Sequence, residues 1–428
     1  NTSRHRTHLR LHPMNKPPYK LSNIANGEGE SAFMYKNLNP GSSTTTIRQF
    51  KKPRENLEPF TRGFAGYRYT DPHMSQVTLR PPNRNSSFQQ NPFFSFGVTD
   101  KTNVRLLGWP ENSTGSAALL TQLETEGVIR QDPESTYVME YFVNNITVCG
   151  VLAEVDLSGD ARSRIIPHEH TDCARTMAMR KHFNMARIDI EPILLVQRMT
   201  SIARIMIDTI KKTAATSVVE QPPDLTCRIW RVTDPDLTSK LHIELGKRQT
   251  LVADGHHRLI SHSSIGNILA MITDISRDSL QLGAIHRIVS RTSLQEVESR
   301  TVGVTFREID PPDNNVEELL TSCNHHQVLI TDGTSWRAAS LNHCQSLDIP
   351  ALHFAVASIS EAPYHHWSYT HDSSEATRIA KDKQGVAFLL RPPSLALVLK
   401  HAATGRLLPE KATSFWPKPP ASMVVRTF

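Results

Sequence analysis

Residues suited to anion binding and proton transfer are concentrated in the segment Ala253-Asp254-Gly255-His256-His257-Arg258. The apolar pattern predicts a short strand over 250–253 before the glycine and a helix over 256–263 after it. Gly255 lets the backbone turn tightly, and a helix start offers unpaired N–H groups and a partial positive charge. Arg258 adds a planar fork that suits phosphate or carboxylate. The corner is therefore an anion site, with Asp254 holding a metal ion or accepting a proton, or an ordinary strand–helix turn capped by Asp254.

A second candidate is the segment Pro167-His168-Glu169-His170-Thr171. Carboxylate and imidazole side chains at this spacing suit general acid/base work or metal ligation. His168 and His170 could supply two ligands to one ion from an extended segment, but the sequence places no third ligand. With 20 histidines in the chain, such pairs also arise by chance.

The third candidate lies in a loop predicted over 409–420. Two lysines, Lys411 and Lys418, and two hydroxyls, one of them Ser414, flank an aromatic pair in a stretch stiffened by prolines. This segment could close over a phosphorylated ligand. Taken alone, however, these residues favour a tail that is docked by Phe415 and Trp416.

Two polar pairs are weaker candidates. His286-Arg287 lies inside an apolar strand pattern, and His371-Asp372 lies just before a predicted helix, so either pair also suits an ordinary buried polar contact. The familiar phosphate-loop, dinucleotide, nucleophile-elbow and HExxH patterns do not occur in the sequence.

The elements that must position these segments alternate between helix and strand. The patterns predict a helix over 114–126, and strands over 137–142 and 148–157 joined by a hairpin turn at Asn144-Asn145. Further along, Asp234-Pro235 begins a helix, with Asp234 as its N-cap. The alternation predicts an α+β fold with mixed α/β sheets.

Length and composition indicate how many domains the chain can form and where they lie. Its 428 residues allow two or three domains, and 38% are hydrophobic. Residues 1–58 are rich in small polar and basic residues with few long aliphatic ones, which predicts a disordered N-terminal extension. We expect an N-terminal α/β part over 59–220 and a C-terminal α/β part over 221–428, divided near a proline-bearing loop.

Charge and cysteine content indicate the class of partner and the compartment. The net charge of +6 arises from 48 basic and 42 acidic residues without a basic cluster interleaved with aromatics, so nucleic-acid binding is not favoured. Five cysteines without a CxxC pair are typical of a reducing compartment. No stretch reaches the roughly 20 apolar residues of a membrane span. We therefore expect a cytoplasmic protein with no membrane partner, of an oligomeric state that the sequence leaves open.

Taken in order, these segments resemble the bacterial and archaeal domain-of-unknown-function family 1015 (DUF 1015), and the resemblance spans roughly residues 59–428. The matching segments are Pro167–Thr171, Trp230–Asp234, Ala253–Arg258, Ile285–Arg287, His371-Asp372 and Lys411–Pro419. The Asp-Gly-His-His-Arg turn in turn resembles that of ParB/sulfiredoxin-like proteins, in particular the free serine kinases on that fold. The resemblance implies a ParB/sulfiredoxin-like core around the strand–turn–helix, with further α/β elements.

The resemblance also implies a function. It suggests a nucleotide-dependent phosphotransferase that acts on a small hydroxylated metabolite, with free L-serine as one candidate, and that uses Mg²⁺ with ATP or ADP. Glu169, Asp254 and His256 are then the catalytic candidates, and Glu169 and Asp254 are also the candidate Mg²⁺ ligands. The nucleotide phosphates would be held at the corner and by the tail, through Gly255, His256, His257, Arg258, Lys411, Ser414 and Lys418. Further candidates are His168, Thr171, His286, Arg287, His371 and Asp372.

The chain departs from the family pattern in two places. The family's Ala-Pro-Pro-Tyr-Asp near the start is replaced by Arg80-Pro81-Pro82-Asn83-Arg84, which removes an acidic residue. The Asp-Arg expected after the Pro-His-Glu segment is altered, which leaves Arg175 or Arg180 as candidates. The substrate could thus differ from serine, or the chain could bind without turnover. Two alternatives stay open.

The first alternative is a ParB-like nucleotide-binding module without turnover. The second is a histidine-based metal-dependent hydrolase, with His168, His170 and one of His256 or His257 as ligands.

Overall fold

The computed structural model describes residues 59–70, 115–221, 225–277, 280–312, 316–324, 326–341, 347–357, 359 and 367–428, and the backbone of short strands outside these ranges. The helices of this part are α1 (Gly115–Thr125), α2 (Gly159–Ser163), α3 (Cys173–Ala186), α4 (Ser201–Lys211), α5 (Pro235–Gly246), α6 (His256–Ser261), α7 (Leu294–Arg300), α8 (Val316–Ser322), α9 (Asp348–Ala355), α10 (Ser373–Asp382) and α11 (Leu395–Ala403).

The strands in chain order are β1 (Ala32–Tyr35), β2 (Thr46–Gln49), β3 (Thr61–Arg62), β4 (Gly66–Tyr69), β5 (His73–Ser75), β6 (Val77–Leu79), β7 (Phe96–Val98), β8 (Val104–Leu106), β9 (Ile129–Gln131), β10 (Thr136–Val143), β11 (Ile146–Asp156), β12 (Ile165–Ile166), β13 (Ile188–Asp189), β14 (Ile193–Gln197), β15 (Ser217–Gln221), β16 (Leu225–Val232), β17 (Thr250–Asp254), β18 (Asn267–Asp274), β19 (Gln281–Gly283), β20 (His286–Val289), β21 (Val304–Ile309), β22 (Gln327–Thr331), β23 (Trp336–Leu341), β24 (Trp367–Thr370), β25 (Val386–Leu389), β26 (Ser414–Trp416) and β27 (Val425–Thr427).

A ten-stranded mixed sheet carries the Asp254–Gly255 corner. Its order is β12-β17-β14-β18-β11-β10-β16-β15-β5, with β3 also pairing with β11. The hairpin between β10 and β11 turns at Asn144 and Asn145, whose φ angles of 45° and 65° suit a tight hairpin turn, so the predicted turn is confirmed. The sheet takes strands from both sides of residue 220, and the division into two parts near that residue stays a prediction.

The strand pair β14 and β17 lies between two hydrophobic cores. Ile193 and Leu195 on β14 pack in one core with side chains of α4 and α5, whereas Leu194 and Val196 pack in another core with the six-stranded sheet. Because both faces of β14 are covered, its sequence is apolar without alternation. The corner at the end of β17 thus emerges from a well-packed, rigid support.

The remaining strands form smaller sheets. The largest has six antiparallel strands in the order β21-β23-β22-β25-β20-β24, and α10 packs on it. The others have the orders β13-β27-β4-β9, β6-β7-β8, β19-β26 and β1-β2. Mixed sheets and helices together confirm the predicted α+β class. The tail predicted as a loop over 409–420 contains β26, which pairs with β19, so that part of the prediction is wrong: the partner strand lies far away in sequence and no local pattern reveals it.

Several predictions concern residues that the structure describes only in part or not at all. The expected disorder over 1–58 falls outside the described residues except for β1 and β2, and the altered Pro-Pro segment Arg80–Arg84 falls outside them altogether. These stay predictions. Among the helices described above, none combines the length and the apolar character needed to cross a membrane.

Candidate functional site

Gly255 forms the corner between β17 and α6 for two separate reasons. Its φ is +100°, a left-handed conformation that side chains disfavour. A Cβ atom at this position would also lie 2.4 Å from Ile193 Cγ2 on the neighbouring strand. Gly255 itself occupies the N-cap position of α6, so Asp254 is not the helix cap. The carboxylate of Asp254 is therefore used elsewhere.

His256 and His257 join the corner to the Pro-His-Glu segment. His256 Nε2 accepts a hydrogen bond from the backbone N–H of His168 at 3.3 Å, and His257 Nε2 accepts one from the backbone N–H of Asp172 at 3.0 Å. Burial lowers the pKa of His256 to about 4, and burial together with Arg175 and Lys411 lowers the pKa of His257 to about 3. Both imidazoles are thus neutral acceptors. The family resemblance assigned these two residues to catalysis or phosphate binding, but the Nε2 atom of each is occupied by a main-chain donor.

Asp254 lies between two cations. One carboxylate oxygen is 2.6 Å from Lys418 Nζ in the tail, and the other accepts a hydrogen bond from Arg258 Nη2 at 2.6 Å. Burial alone would raise the pKa of Asp254, but Lys418 and Arg258 hold it well below its ordinary value. Asp254 is therefore a firmly ionised carboxylate and a weak base.

The guanidinium of Arg258 forms its hydrogen bonds within the protein. Besides Asp254, it donates through Nη1 to the backbone carbonyls of Glu191 at 2.8 Å and Pro192 at 3.0 Å. The fork that the sequence assigned to phosphate thus fastens α6 to the start of β14. In this arrangement Arg258 positions Asp254.

Glu169 anchors the tail. Its carboxylate accepts hydrogen bonds from the backbone N–H groups of Lys411 at 3.2 Å and Thr413 at 2.7 Å, and from the Thr413 hydroxyl. The buried imidazole of His168 lies 2.8 Å from the same hydroxyl, and burial, assisted by His256, lowers its pKa to about 3. The Pro-His-Glu segment and the tail therefore form one unit.

Arg287 anchors the tail from the six-stranded sheet. It is fully buried and donates through Nη2 to the Lys411 carbonyl at 2.9 Å, through Nη1 to the Ile285 carbonyl at 2.8 Å, and through Nε to His353 at 2.8 Å. Burial lowers its pKa to about 10, which leaves it charged at neutral pH. Arg287 thus fixes the backbone from which the Lys411 side chain projects.

The remaining candidate pairs are mostly structural. Buried His286 accepts a hydrogen bond through Nδ1 from the backbone N–H of Leu390 at 3.2 Å. His371 Nδ1 lies 3.0 Å from the Ala284 carbonyl, and its pKa is lowered by burial, with Lys418 and Lys411 contributing. Asp372 is the N-cap of α10. His371 thus lies within electrostatic range of the two tail lysines.

Three cations face this region from two segments. The pKa of Lys411 is lowered by burial first and then by Arg175 and Lys418, which places the three positive charges close together. Within the described ranges, the guanidinium of Arg175 makes no hydrogen bond or ion pair, and its Nε is buried. Burial lowers the pKa of Arg175, whereas Glu410 raises it at longer range. Arg175 therefore contributes a positive charge that no carboxylate of the described residues pairs with directly.

A metal site does not emerge from the described side chains. Among them, no group of three or more His, Cys, Asp or Glu residues is arranged to hold an ion. The predicted Mg²⁺ ligation by Asp254 and Glu169 does not fit this arrangement, because cations or N–H and O–H donors already occupy both carboxylates. Of the histidines considered as ligands, namely His168, His170 and one of His256 or His257, the rings of His168 and His256 pack edge to face at 4.6 Å, and His256 Nε2 is turned to the backbone.

The family model described as "Protein of unknown function (DUF1015)" matches residues 110–359, which is more than half of the chain. The chain belongs to the DUF1015 family. A comparison with curated proteins gave no match.

Solved structures resemble this DUF1015 protein at low sequence identity. A conserved hypothetical protein from Pyrococcus furiosus is 15% identical, with 64% of this chain and 95% of that chain covered and a TM-score of 0.39. A free serine kinase in complex with AMP is 14% identical, with coverages of 64% and 91% and a TM-score of 0.40. A C-terminally truncated SbnI from Staphylococcus aureus is 12% identical, with coverages of 62% and 82% and a TM-score of 0.37.

Most segments that carried the DUF1015 resemblance meet at the corner, but one does not. Trp230 donates through Nε1 to the Thr213 carbonyl at 3.0 Å, and Asp234 caps α5, as predicted. Thr171 and Ser414 lie within the converging segments and are partly exposed.

Sequence reasoning missed several residues of the site. Thr413 bridges His168 and Glu169, Glu191 supports Arg258, and Glu410 faces the cations. Only Asp172 left a local signal, because an Asp directly before a helical pattern predicts the N-cap that it forms in α3.

Proposed function

We propose that this DUF1015 protein binds the phosphates of a nucleotide at the Asp254–Gly255 corner and transfers a phosphoryl group to a small hydroxylated metabolite. Free L-serine is the first acceptor to test, because the corner motif resembles that of the free serine kinases. The supporting observation is the unpaired guanidinium of Arg175 beside Lys411 and Lys418.

An unpaired cation in a largely buried position costs free energy unless an anion completes the site. Lys418 is already paired with Asp254 at 2.6 Å, so the charge that a ligand must neutralise is chiefly that of Arg175. A polyphosphate offers several oxygens to this guanidinium and can also reach Lys411 and Lys418. Arginine matches phosphate through its planar fork, and lysine binds it as a point charge. The charge pattern therefore favours a polyphosphate over a simple carboxylate.

The same cations suit phosphoryl transfer. Negative charge on the transferred group and the departing phosphate must be neutralised in the transition state, and this is most of what the protein contributes to the reaction. Because Asp254 and Glu169 do not form a Mg²⁺ site in this arrangement, Arg175, Lys411 and Lys418 would neutralise the charge on the transferred phosphoryl group. Asp254, held by Arg258, would keep Lys418 in place.

The proposal is tested by incubating the purified full chain with ATP or ADP and L-serine and measuring O-phosphoserine by mass spectrometry. Binding is measured separately from the shift in thermal unfolding with ATP, ADP, CTP and serine, because a ligand of the native state raises stability. Product formation supports phosphotransfer. Binding without product from any acceptor supports the ParB-like module without turnover.

Absence of both binding and product overturns the proposed function. Stoichiometric zinc or iron in the purified protein, with hydrolytic activity lost on chelation, would favour the histidine-based hydrolase instead.

A further inference from the structure

A hydroxyl acceptor needs a base, and the two carboxylates named by the sequence are poorly placed for that role. Asp254 is paired with two cations at 2.6 Å, and Glu169 accepts three hydrogen bonds from the tail. A carboxylate held in this way has its lone pairs committed, and taking up a proton would break the contacts that join the segments. Asp172 is likewise committed as the N-cap of α3.

Glu410 is the exception among these carboxylates. Its side chain is partly exposed, and within the described ranges it makes no hydrogen bond or ion pair. Its backbone is nevertheless held at Glu410 itself and at the residue that follows. The Glu410 carbonyl lies 3.4 Å from Arg287 Nη2, and the next residue, Lys411, is fixed through its N–H by Glu169 and through its carbonyl by Arg287. Glu410 therefore combines a rigid attachment with a carboxylate that is open to a ligand.

Its surroundings place Glu410 at the proposed nucleotide site. The charged groups that act on it are Lys411, Asp172, Arg175 and Glu169, which belong to the tail, to the start of α3 and to the Pro-His-Glu segment. Burial raises the pKa of Glu410; Lys411 and Arg175 oppose this, whereas Asp172 and Glu169 add to it. A carboxyl whose pKa is raised takes up a proton more readily than an ordinary glutamate.

We propose that Glu410 is the general base that takes the proton from the acceptor hydroxyl. This inference rests on the proposed function and adds the residue that activates the nucleophile. The acceptor oxygen forms a bond to the terminal phosphorus, and the bond from that phosphorus to the bridging oxygen of the nucleotide breaks. The electron pair of the broken bond stays on the departing nucleotide, and the hydroxyl proton passes to Glu410 and then to solvent.

The test compares wild type with Glu410→Gln and Glu410→Asp in the full chain, with L-serine as acceptor and ATP or ADP as donor. Loss of the base is expected to lower kcat by roughly 10²- to 10⁴-fold in Glu410→Gln. Its Kd for ADP should stay within about threefold of wild type, because Glu410 holds no phosphate. Glu410→Asp should keep part of the activity, and the rise of kcat with pH should disappear in Glu410→Gln.

A matched control is Glu308→Gln, at an exposed position on β21 remote from the corner. This control should leave kcat and Kd unchanged. If wild type turns over and Glu410→Gln retains its kcat, the assignment of Glu410 is overturned while the proposed function stands. If wild type neither binds nucleotide nor forms product, the proposed function fails, and the assignment of Glu410 fails with it.

Discussion

His257 accepts a hydrogen bond from the backbone N–H of Asp172 at 3.0 Å, and this contact joins the glycine corner to the start of α3. The backbone N–H of His168 likewise donates to His256, so the two histidines together link the glycine corner to the Pro-His-Glu segment and the start of α3. The two histidines therefore hold the segments of the site together instead of contacting a ligand.

Replacing His257 by Leu should lower the free energy of unfolding by about 1–3 kcal/mol, because the N–H of Asp172 loses its acceptor in a partly buried position. Glutamine can still accept this bond, so His257→Gln should lose less. Chemical denaturation of both variants measures the difference. An equal loss in the two variants would show that the bond contributes nothing.

Substitution of Gly255 separates steric clash from backbone strain. Gly266 also has a positive φ, at +94°, but a Cβ there would meet nothing within 4 Å. Gly266→Ala should therefore cost only the strain of the left-handed conformation, about 1–3 kcal/mol. Gly255→Ala should cost a further 1–3 kcal/mol or so, because its Cβ would overlap Ile193. Equal midpoints and slopes in urea denaturation of the two variants would contradict this account.

The buried histidines predict a loss of stability in mild acid. The native pKa values of about 3 for His168 and about 4 for His256 lie below the usual value near 6.5, so the unfolded chain binds more protons between these limits. The free energy of unfolding should thus fall as the pH drops from about 6.5 towards 4, each histidine contributing a slope of about 1.4 kcal/mol per pH unit.

The matched variant for this prediction is His256→Gln, which keeps an acceptor but does not titrate. It should reduce the slope between about pH 4.5 and 6 by about 1.4 kcal/mol per unit, as measured by denaturation at several pH values. An unchanged slope would mean that His256 is protonated in the native state.

Arg175 should matter for binding and not for folding. Arg175→Met removes a cation that has no partner within the described residues, so the unliganded protein should be no less stable than wild type. Its Kd for ADP should rise at least tenfold or so, the usual effect of losing a charge-assisted bond of about 1.5–3 kcal/mol. Calorimetric titration and thermal unfolding give the two readouts.

Arg180 provides the contrast on the same helix. It donates to the Ile260 carbonyl at 3.2 Å and to Ser263 at 3.3 Å, which ties α3 to α6. Arg180→Met should therefore reduce stability while leaving the Kd for ADP within about threefold of wild type. A pattern in which Arg175→Met destabilises the protein and leaves binding intact would reverse the two roles.

Local patterns predicted the features that depend on neighbouring residues. The hairpin at Asn144-Asn145, the Asp234 cap and the strand–glycine–helix corner follow from backbone preferences of a few adjacent residues. The meeting of the corner, the Pro-His-Glu segment and the tail was predicted only through the family resemblance.

The roles of individual residues could not be predicted from the sequence, because they depend on contacts between segments that lie far apart in the chain. The guanidinium of Arg258 donates to backbone carbonyls just before β14, and the carboxylate of Glu169 accepts hydrogen bonds from the tail. Both side chains suit a ligand by type, but here they hold the protein together. Conversely, Arg175 and Glu410 could be recognised as candidates only from the structure, which shows that the charged side chains around them are paired with other groups.

The central claim is that Arg175, Lys411 and Lys418 receive the phosphates of a nucleotide at the Asp254–Gly255 corner. A crystal structure of the full chain grown with ADP tests it most directly. The account predicts phosphate oxygens within hydrogen-bonding distance, about 2.7–3.2 Å, of the Arg175 guanidinium and Lys411 Nζ. ADP bound elsewhere, or a corner without nucleotide at saturating ADP, would contradict it.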